Sequence, residues 1–108
     1  ALRVGYSLFN ESGLLVYCSE HTDKQETDWP VVRVGKNHFY SAIPKRLLNE
    51  GRYYLELIVY LHRRLRLVEP SKNSPSIILE ILGGISDSPY WSEKRPGILG
   101  IELGLFSF

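Results

Sequence analysis

The sequence predicts an all-β domain, an antiparallel β-sandwich with one short connecting helix. Apolar and polar residues alternate with a period of two along most of the 108 residues, which is typical of half-buried strands. Turn-forming residues divide this pattern into about seven short segments, and no strand–helix–strand repeat is present. The length suits one domain, so we expect residues 1–108 to form a single unit.

The first two strands are predicted to form a hairpin. Residues 2–9 alternate as a strand does, and residues 10–13, Asn-Glu-Ser-Gly, tolerate the dihedral angles of a tight turn. Residues 14–19 then return as the second strand. Residues 20–30 follow as a polar loop of unusual length, and loops of this kind are often functional.

The middle of the chain is predicted to add two short strands and the helix. Residues 31–34 and 38–43 have an extended pattern. Pro44 can occupy the first turn of a helix, and Gly51 suits the left-handed position after its last turn. Residues 44–51 are therefore predicted to form about two helical turns between strands.

The longest predicted strand begins at Tyr53 and ends near Leu61. One face of it is uniformly apolar in steps of two from Tyr53, so we expect this face to lie in the core. The opposite face is aromatic and polar, and can meet solvent or a ligand. It carries Tyr54, Glu56, Ile58, Tyr60 and His62.

Three further extended segments complete the predicted fold, and two loops separate them. The extended segments are residues 63–68, 77–82 and 98–108, and the loops are residues 70–75 and 86–97. Three arginines in the first of these segments indicate a solvent-facing side or an edge strand that resists aggregation.

Charge and composition disfavour or exclude several classes of protein. Thirteen Lys and Arg face twelve Asp and Glu, a formal net charge of +1 that disfavours a nucleic-acid binder. No apolar run could span a membrane, and the first residues do not form a signal peptide. The single cysteine, Cys18, fits a reducing compartment and is expected to be a small buried side chain. Because the chain begins at Ala1 and has no methionine, we expect it to be a piece of a longer polypeptide.

No motif for catalysis or metal binding is present. Phosphate-binding loops of the GxxxxGK[ST] type and GxSxG elbows are missing, and the three histidines lack metal-ligand spacing. Asp87 and Glu93 could be imagined as a glycosidase pair, but solvated loop carboxylates are the simpler interpretation. The sequence therefore predicts a protein that is not an enzyme and uses no metal or cofactor.

Aromatic residues are the chemistry that remains. They make up 12% of the chain, and Trp29 and Trp91 both fall in predicted loops. A sugar ring stacks its C–H face on an aromatic ring while its hydroxyls meet neighbouring polar groups. Aromatic rings also pack sandwich rims and subunit interfaces, so both interpretations stay open.

Several motifs occur in a characteristic order. They are residues 4–10 with Gly13, Ile43-Pro44, Leu47-Leu48-Asn49-Glu50-Gly51 with Tyr53, Ile85-Ser86-Asp87, and Arg95-Pro96-Gly97-Ile98-Leu99. In this order and spacing they resemble the C-terminal domain of Wzt-type proteins, the ATP-binding subunits of bacterial O-antigen polysaccharide ABC transporters. The resemblance covers nearly the whole chain, although each motif alone is only moderately specific.

The resemblance implies an immunoglobulin-like β-sandwich that recognises the exported polysaccharide without catalysing a reaction. It implies a cytoplasmic location at the inner face of the bacterial inner membrane, with contact to the transporter's membrane subunit through the parent protein. It also implies a homodimer that exchanges its last strand. The parent's nucleotide-binding domain is not in this sequence, and family members have one or two strands before the position of Ala1. Tyr53 resembles a tyrosine that braces a sandwich corner, and Asp87 and Arg95 are expected to brace a loop.

The residues predicted to bind carbohydrate follow from the alternation, because the family motifs do not fix them. They are Tyr54, Glu56, Tyr60 and His62, with Trp91 or Trp29 at the rim of the face. A shift of one residue in register would exchange the two faces. The small net charge favours a neutral polysaccharide held by rings and hydrogen bonds. The alternative is a structural dimerisation domain whose aromatic face lies between subunits.

Overall fold

The computed structural model describes residues 2–61, 65–83, 94, 96–101 and 103–107. Within them the chain forms five strands and one short 3-10 helix, Glu26–Asp28, in the long loop after the first hairpin. The strands are β1 (Leu2–Asn10), β2 (Leu15–Glu20), β3 (Gly51–Leu61), β4 (Leu65–Val68) and β5 (Ser76–Ile81).

All five strands belong to one antiparallel sheet, with β3 at its centre. β1 pairs with β3 along one edge, where Leu8 lies opposite Leu55, and β2 pairs with the far edge of β1. The other edge of β3 is shared, since residues 51–56 pair with β5 and residues 59–61 pair with β4. The predicted all-β antiparallel class is confirmed, and so are the first hairpin and the long strand.

One face of the sheet is covered by irregular chain, which makes the fold sandwich-like. Leu8, Leu48 and Tyr53 are buried at its centre. Partly buried apolar side chains pack around them: Val16, Tyr17, Ile43, Leu55, Leu79 and Ile81. Leu48 also forms an isolated antiparallel bridge with Leu99, so the covering layer joins the middle of the chain to its C-terminal part.

The helix predicted over residues 44–51 does not form. Arg46 has a φ of 65°, a left-handed conformation that interrupts a helical path. Beyond it, the backbone N–H of Asn49 donates to the carbonyl of Ile98 at 3.1 Å. The backbone of these residues therefore forms hydrogen bonds with a distant segment of the chain. That pairing outweighs the local preference for a helix that Pro44 and Gly51 indicate.

Three predicted strands do not form in the described part of the chain. They are residues 31–34, residues 38–43 and residues 98–108, where among the described residues only Leu99 makes a β-type pair. Tyr40 and Leu105 in these segments are almost fully exposed. An alternating pattern becomes a strand only when a partner covers one of its faces. The expectation of a buried Cys18 is also wrong, because Cys18 lies on the edge strand β2 and is exposed.

A set of buried hydrogen bonds ties the covering layer to β3, and we call it the Asn49–Tyr53 anchor. The Tyr53 hydroxyl donates to the backbone carbonyl of Asn49 at 2.8 Å, four residues upstream, which is the corner-bracing role predicted for it. The Asn49 side-chain amide, itself buried, donates to the carbonyl of Gly97 at 2.6 Å. A Cβ at Gly100 would lie 2.8 Å from the carbonyl oxygen of Leu48, so this close approach requires glycine. Burial raises the pKa of the Tyr53 phenol, which keeps the hydroxyl protonated as a donor.

Removing the Tyr53 hydroxyl tests the anchor. We expect Tyr53→Phe to lower the free energy of unfolding by about 1–3 kcal/mol, because the buried carbonyl of Asn49 loses this donor. Urea unfolding measures the change. Tyr40→Phe is the matched control, since the Tyr40 ring is 98% exposed and its variant should change stability by less than about 0.5 kcal/mol. Equal losses in the two variants would contradict the anchor.

Candidate functional site

The candidate site lies on the face of the sheet opposite the core. The register sets Arg3 of β1 and Arg66 of β4 on either side of Tyr60 of β3. The pleat puts Tyr54 and Glu56 on the same side as Tyr60, so the prediction that these three share a face away from Tyr53 is confirmed. We call this the polar face, although it includes a few apolar side chains; it carries Arg3, Gly5, Ser7, Phe9, Cys18, Glu20, Arg52, Tyr54, Glu56, Ile58, Tyr60, Arg66, Ser76, Ile78 and Glu80.

Tyr60 is the centre of a hydrogen-bonded group on the polar face, the Tyr60 cluster of Arg3, Glu20, Tyr60 and Arg66. The Tyr60 hydroxyl donates to the Glu20 carboxylate, with oxygens at 3.0 and 3.2 Å, and accepts from Arg3 Nη1 at 2.9 Å. Arg3 Nε lies 3.6 Å from the same carboxylate. The guanidinium carbons of Arg3 and Arg66 lie 5.7 and 5.9 Å from the centre of the Tyr60 ring. Both distances are within the range of cation–π attraction.

Gly5 makes this cluster possible. Glu20 is on β2, two strands from Tyr60, so its carboxylate must pass over β1 at the position of Gly5. A Cβ at Gly5 would lie 2.9 Å from both the Cα and the Cγ of Glu20, and closer still to the carbonyl oxygen of Ser19. Because Gly5 has no side chain, the Glu20 side chain has room to cross β1 and reach Tyr60.

The other predicted residues of β3 have different partners. The Glu56 carboxylate accepts from the backbone N–H of Ser71 at 2.8 Å, so it braces the loop between β4 and β5. Arg52 donates to Glu80 at 2.8 Å through Nη2 and also meets Tyr54. The Glu80 carboxylate, and after it Tyr54, raises the pKa of the Arg52 guanidinium. Tyr54 thus belongs to a second polar group, at the opposite end of β3 from Tyr60.

Trp29 contacts the loop that follows β2. Its indole nitrogen donates to the carbonyl of Lys24 at 2.7 Å, and its ring meets the imidazole of His21 edge-on. The backbone N–H of Val4 donates to Nδ1 of His21 at 3.0 Å, which ties this loop to β1. These contacts do not include Tyr54, Glu56 or Tyr60, and the expected place of Trp29 at the rim stays a prediction. Other predicted residues lie outside the described part of the chain: His62, Trp91, Asp87, Glu93 and Arg95.

Sequence reasoning missed three members of the Tyr60 cluster. Arg3, Glu20 and Arg66 come from three different strands, and only the strand register shows that they meet Tyr60. The three arginines within residues 63–68 are a partial signal, because they indicate a side that faces solvent. Nothing in the local pattern around Glu20 predicts a carboxylate that crosses a neighbouring strand.

The polar face offers guanidinium donors, a tyrosine hydroxyl and carboxylate acceptors at partly exposed positions, a set that suits hydroxyl-rich ligands. Across the described residues, no group of three or more side chains could hold a metal ion.

A separate cleft of about 220 Å³ lies at the other end of β3. It is lined in part by Asn10, Glu50 and Lys94, and no member of the Tyr60 cluster lines it. None of the helices in the described segments is long and apolar enough to cross a membrane.

Comparison with known proteins returned no relative. No protein-family model, curated protein or solved structure matches the chain. The fold and the polar face by themselves define the class: an all-β domain with an open face of hydrogen-bonding side chains.

A side chain at Gly5 tests the path of Glu20. We expect Gly5→Ala to lower the free energy of unfolding by about 1–3 kcal/mol and to separate Glu20 from Tyr60, because the added methyl group meets the backbone of β2. Urea unfolding and the side-chain NMR signals of Tyr60 report the two effects. Gly83→Ala is the control, since its nearest atom would be 3.7 Å away. A Gly5→Ala protein as stable as Gly83→Ala would contradict this packing.

Proposed function

We propose that this chain recognises a polysaccharide without catalysing a reaction, and that the polymer lies along β3 on the polar face. The observation that carries the proposal is the Tyr60 cluster, in which donors and an acceptor are held in fixed positions at a partly exposed site. The second polar group begins six to eight residues earlier on β3, at Tyr54 and Arg52, and Glu80 joins it from β5. At the rise of a strand this separation is about 20–26 Å, which suits an extended polymer better than a small molecule.

In this proposal the Tyr60 ring does not stack on a sugar itself but positions the guanidinium groups of Arg3 and Arg66. A guanidinium lies against it from the strand on each side, so a sugar would meet Arg66 and Arg3 before it met the ring. Guanidinium N–H groups donate to sugar hydroxyls, and the Glu20 carboxylate accepts from them. Because the face is open, each sugar makes few contacts, and we expect single sugars to bind weakly.

The finer proposal is that the polysaccharide is a bacterial O-antigen and that the chain is the recognition module of an ABC transporter subunit. It is supported by the resemblance to Wzt-type C-terminal domains, whose motif around residues 47–53 falls on the Asn49–Tyr53 anchor. Under it, the parent protein supplies the ATPase and contacts the membrane subunit at the cytoplasmic face of the inner membrane. The proposal requires no cofactor, metal or nucleic acid.

Glycan titration of Tyr60 variants tests the proposed function. With bacterial O-polysaccharides as probes, we expect binding that is unaffected by chelators, and Tyr60→Ala to weaken it by about 10-fold or more, because Arg3, Glu20 and Arg66 lose their common partner. Isothermal titration calorimetry measures the affinity. Tyr40→Ala, at a 98% exposed site on another segment, is the control and should bind like the wild type. Absence of binding to every O-polysaccharide would overturn the proposal.

A second candidate function is a structural dimerisation domain that binds no glycan. It is favoured by the exposed apolar side chains near the C-terminus, with Leu103, Leu105 and Phe106 at 77%, 101% and 91% exposure. Exposed apolar groups of this kind often mark an interface with another chain.

Truncation separates the two functions. If the chain is only a dimerisation domain, deleting residues 101–108 should convert homodimers into monomers, because the deletion removes the apolar side chains that would form the interface. Neither the full chain nor the truncated chain should bind a glycan. Analytical ultracentrifugation gives the assembly state. A truncated protein that keeps the assembly state of the full chain would contradict this candidate.

A further inference from the structure

We infer that the Tyr60 cluster takes an acidic sugar, with Arg66 as the residue that binds its carboxylate. This inference rests on the proposed function, which it deepens by naming the class of polysaccharide. It departs from the neutral polysaccharide that the net charge of the whole chain favours, because the relevant charge is the local one.

The first observation is the row of side chains across three strands. Arg3 and Arg66 are both cross-strand neighbours of Tyr60, one from β1 and one from β4. Two guanidinium groups therefore approach one ring, at 5.7 and 5.9 Å from its centre. The ring attracts both cations and holds them towards the open side of the sheet.

The second observation is the unequal pairing of these two cations. Arg3 has the Glu20 carboxylate at 3.6 Å and the Tyr60 hydroxyl at 2.9 Å, and its side chain is one-third exposed. Arg66 is 68% exposed, and its Nε lies 3.7 Å from Glu69, beyond hydrogen-bonding distance. The other oxygen of Glu69 is 3.0 Å from the amino group of Lys72. One carboxylate thus serves two cations, so Arg66, Lys72 and Glu69 together carry one positive charge, while the Glu56 carboxylate is bound to the backbone N–H of Ser71 in the same loop.

The third observation is the shape of the Arg66 guanidinium. A guanidinium presents a planar fork of N–H donors that matches the two oxygens of a carboxylate. Contact with the Tyr60 ring limits the orientations of the Arg66 fork, so less freedom is lost when an anion binds. A uronic acid carries such a carboxylate on a sugar ring, whose hydroxyls can reach Glu20 and Arg3 beside it.

The test uses O-polysaccharides that contain uronic acids, each beside a copy in which the carboxyl groups have been reduced to primary alcohols. Neutral O-polysaccharides complete the set of probes. We expect the acidic polymers to bind about 10-fold more tightly than their reduced copies at ~50 mM salt. The difference should shrink at about 0.5 M salt, where charges are screened. Isothermal titration calorimetry supplies the affinities.

Three variants separate the Arg66 fork from the general charge of the surface. Arg66→Gln should abolish the preference for the acidic polymer. Lys72→Gln removes the same unit of charge from the neighbouring loop but makes no contact with the Tyr60 ring, and should keep most of the preference. Arg66→Lys, which keeps the charge and loses the planar fork, should fall between them.

Three results would overturn the inference and leave the proposed function standing. They are tight binding of neutral polymers only, equal affinity for the acidic polymers and their reduced copies, and equal loss of the preference in Arg66→Gln and Lys72→Gln. If no polymer of any kind binds, the proposed function itself fails.

Discussion

The hydrogen bond from the Tyr53 hydroxyl to the carbonyl of Asn49 is the constraint on which the rest of the structure depends. It closes the corner between the covering layer and the start of β3, and the buried amide of Asn49 extends the same contact to Gly97. The segment around Leu48 is joined to the C-terminal segment and to β3 by these contacts. Held in this way, it covers the sheet and buries Leu8 and Tyr53 almost completely.

The anchor also decides which side of β3 faces a ligand. Successive side chains of a strand point to opposite faces, and Tyr60 is an odd number of residues from Tyr53. Burying Tyr53 therefore commits Tyr60 to the polar face, where Arg3, Glu20 and Arg66 surround it. A slip of one residue in the pairing of β1 with β3 would bury Tyr60 and expose the apolar set, at a large cost in buried area. The site and the core are thus fixed by the same register.

The sequence predicts the parts of this fold that depend on local pattern. Period-two alternation and the turn residues locate the first hairpin, β3 and β5, and they separate the Tyr53 face of β3 from the Tyr60 face. The errors occur where a distant partner decides the outcome. Pro44 and Gly51 are good helix signals, yet the chain between them pairs with residues 98–100 instead. The partners of Tyr60 come from three other strands, and no pattern within one segment reveals that Gly5 leaves room for Glu20 to reach it.

The central claim is that the polar face around Tyr60, and not the loop that carries Trp29, meets the ligand. Mapping of backbone and indole NMR signals during titration with an O-polysaccharide tests this claim most directly, because Trp29 contacts Lys24 and His21 in the loop after β2 and reports on that loop. The account predicts that the amides of Arg3, Tyr60 and Arg66 shift together while the indole N–H of Trp29 does not move. Shifts centred on Trp29 and His21, with the amide of Tyr60 unchanged, would contradict it.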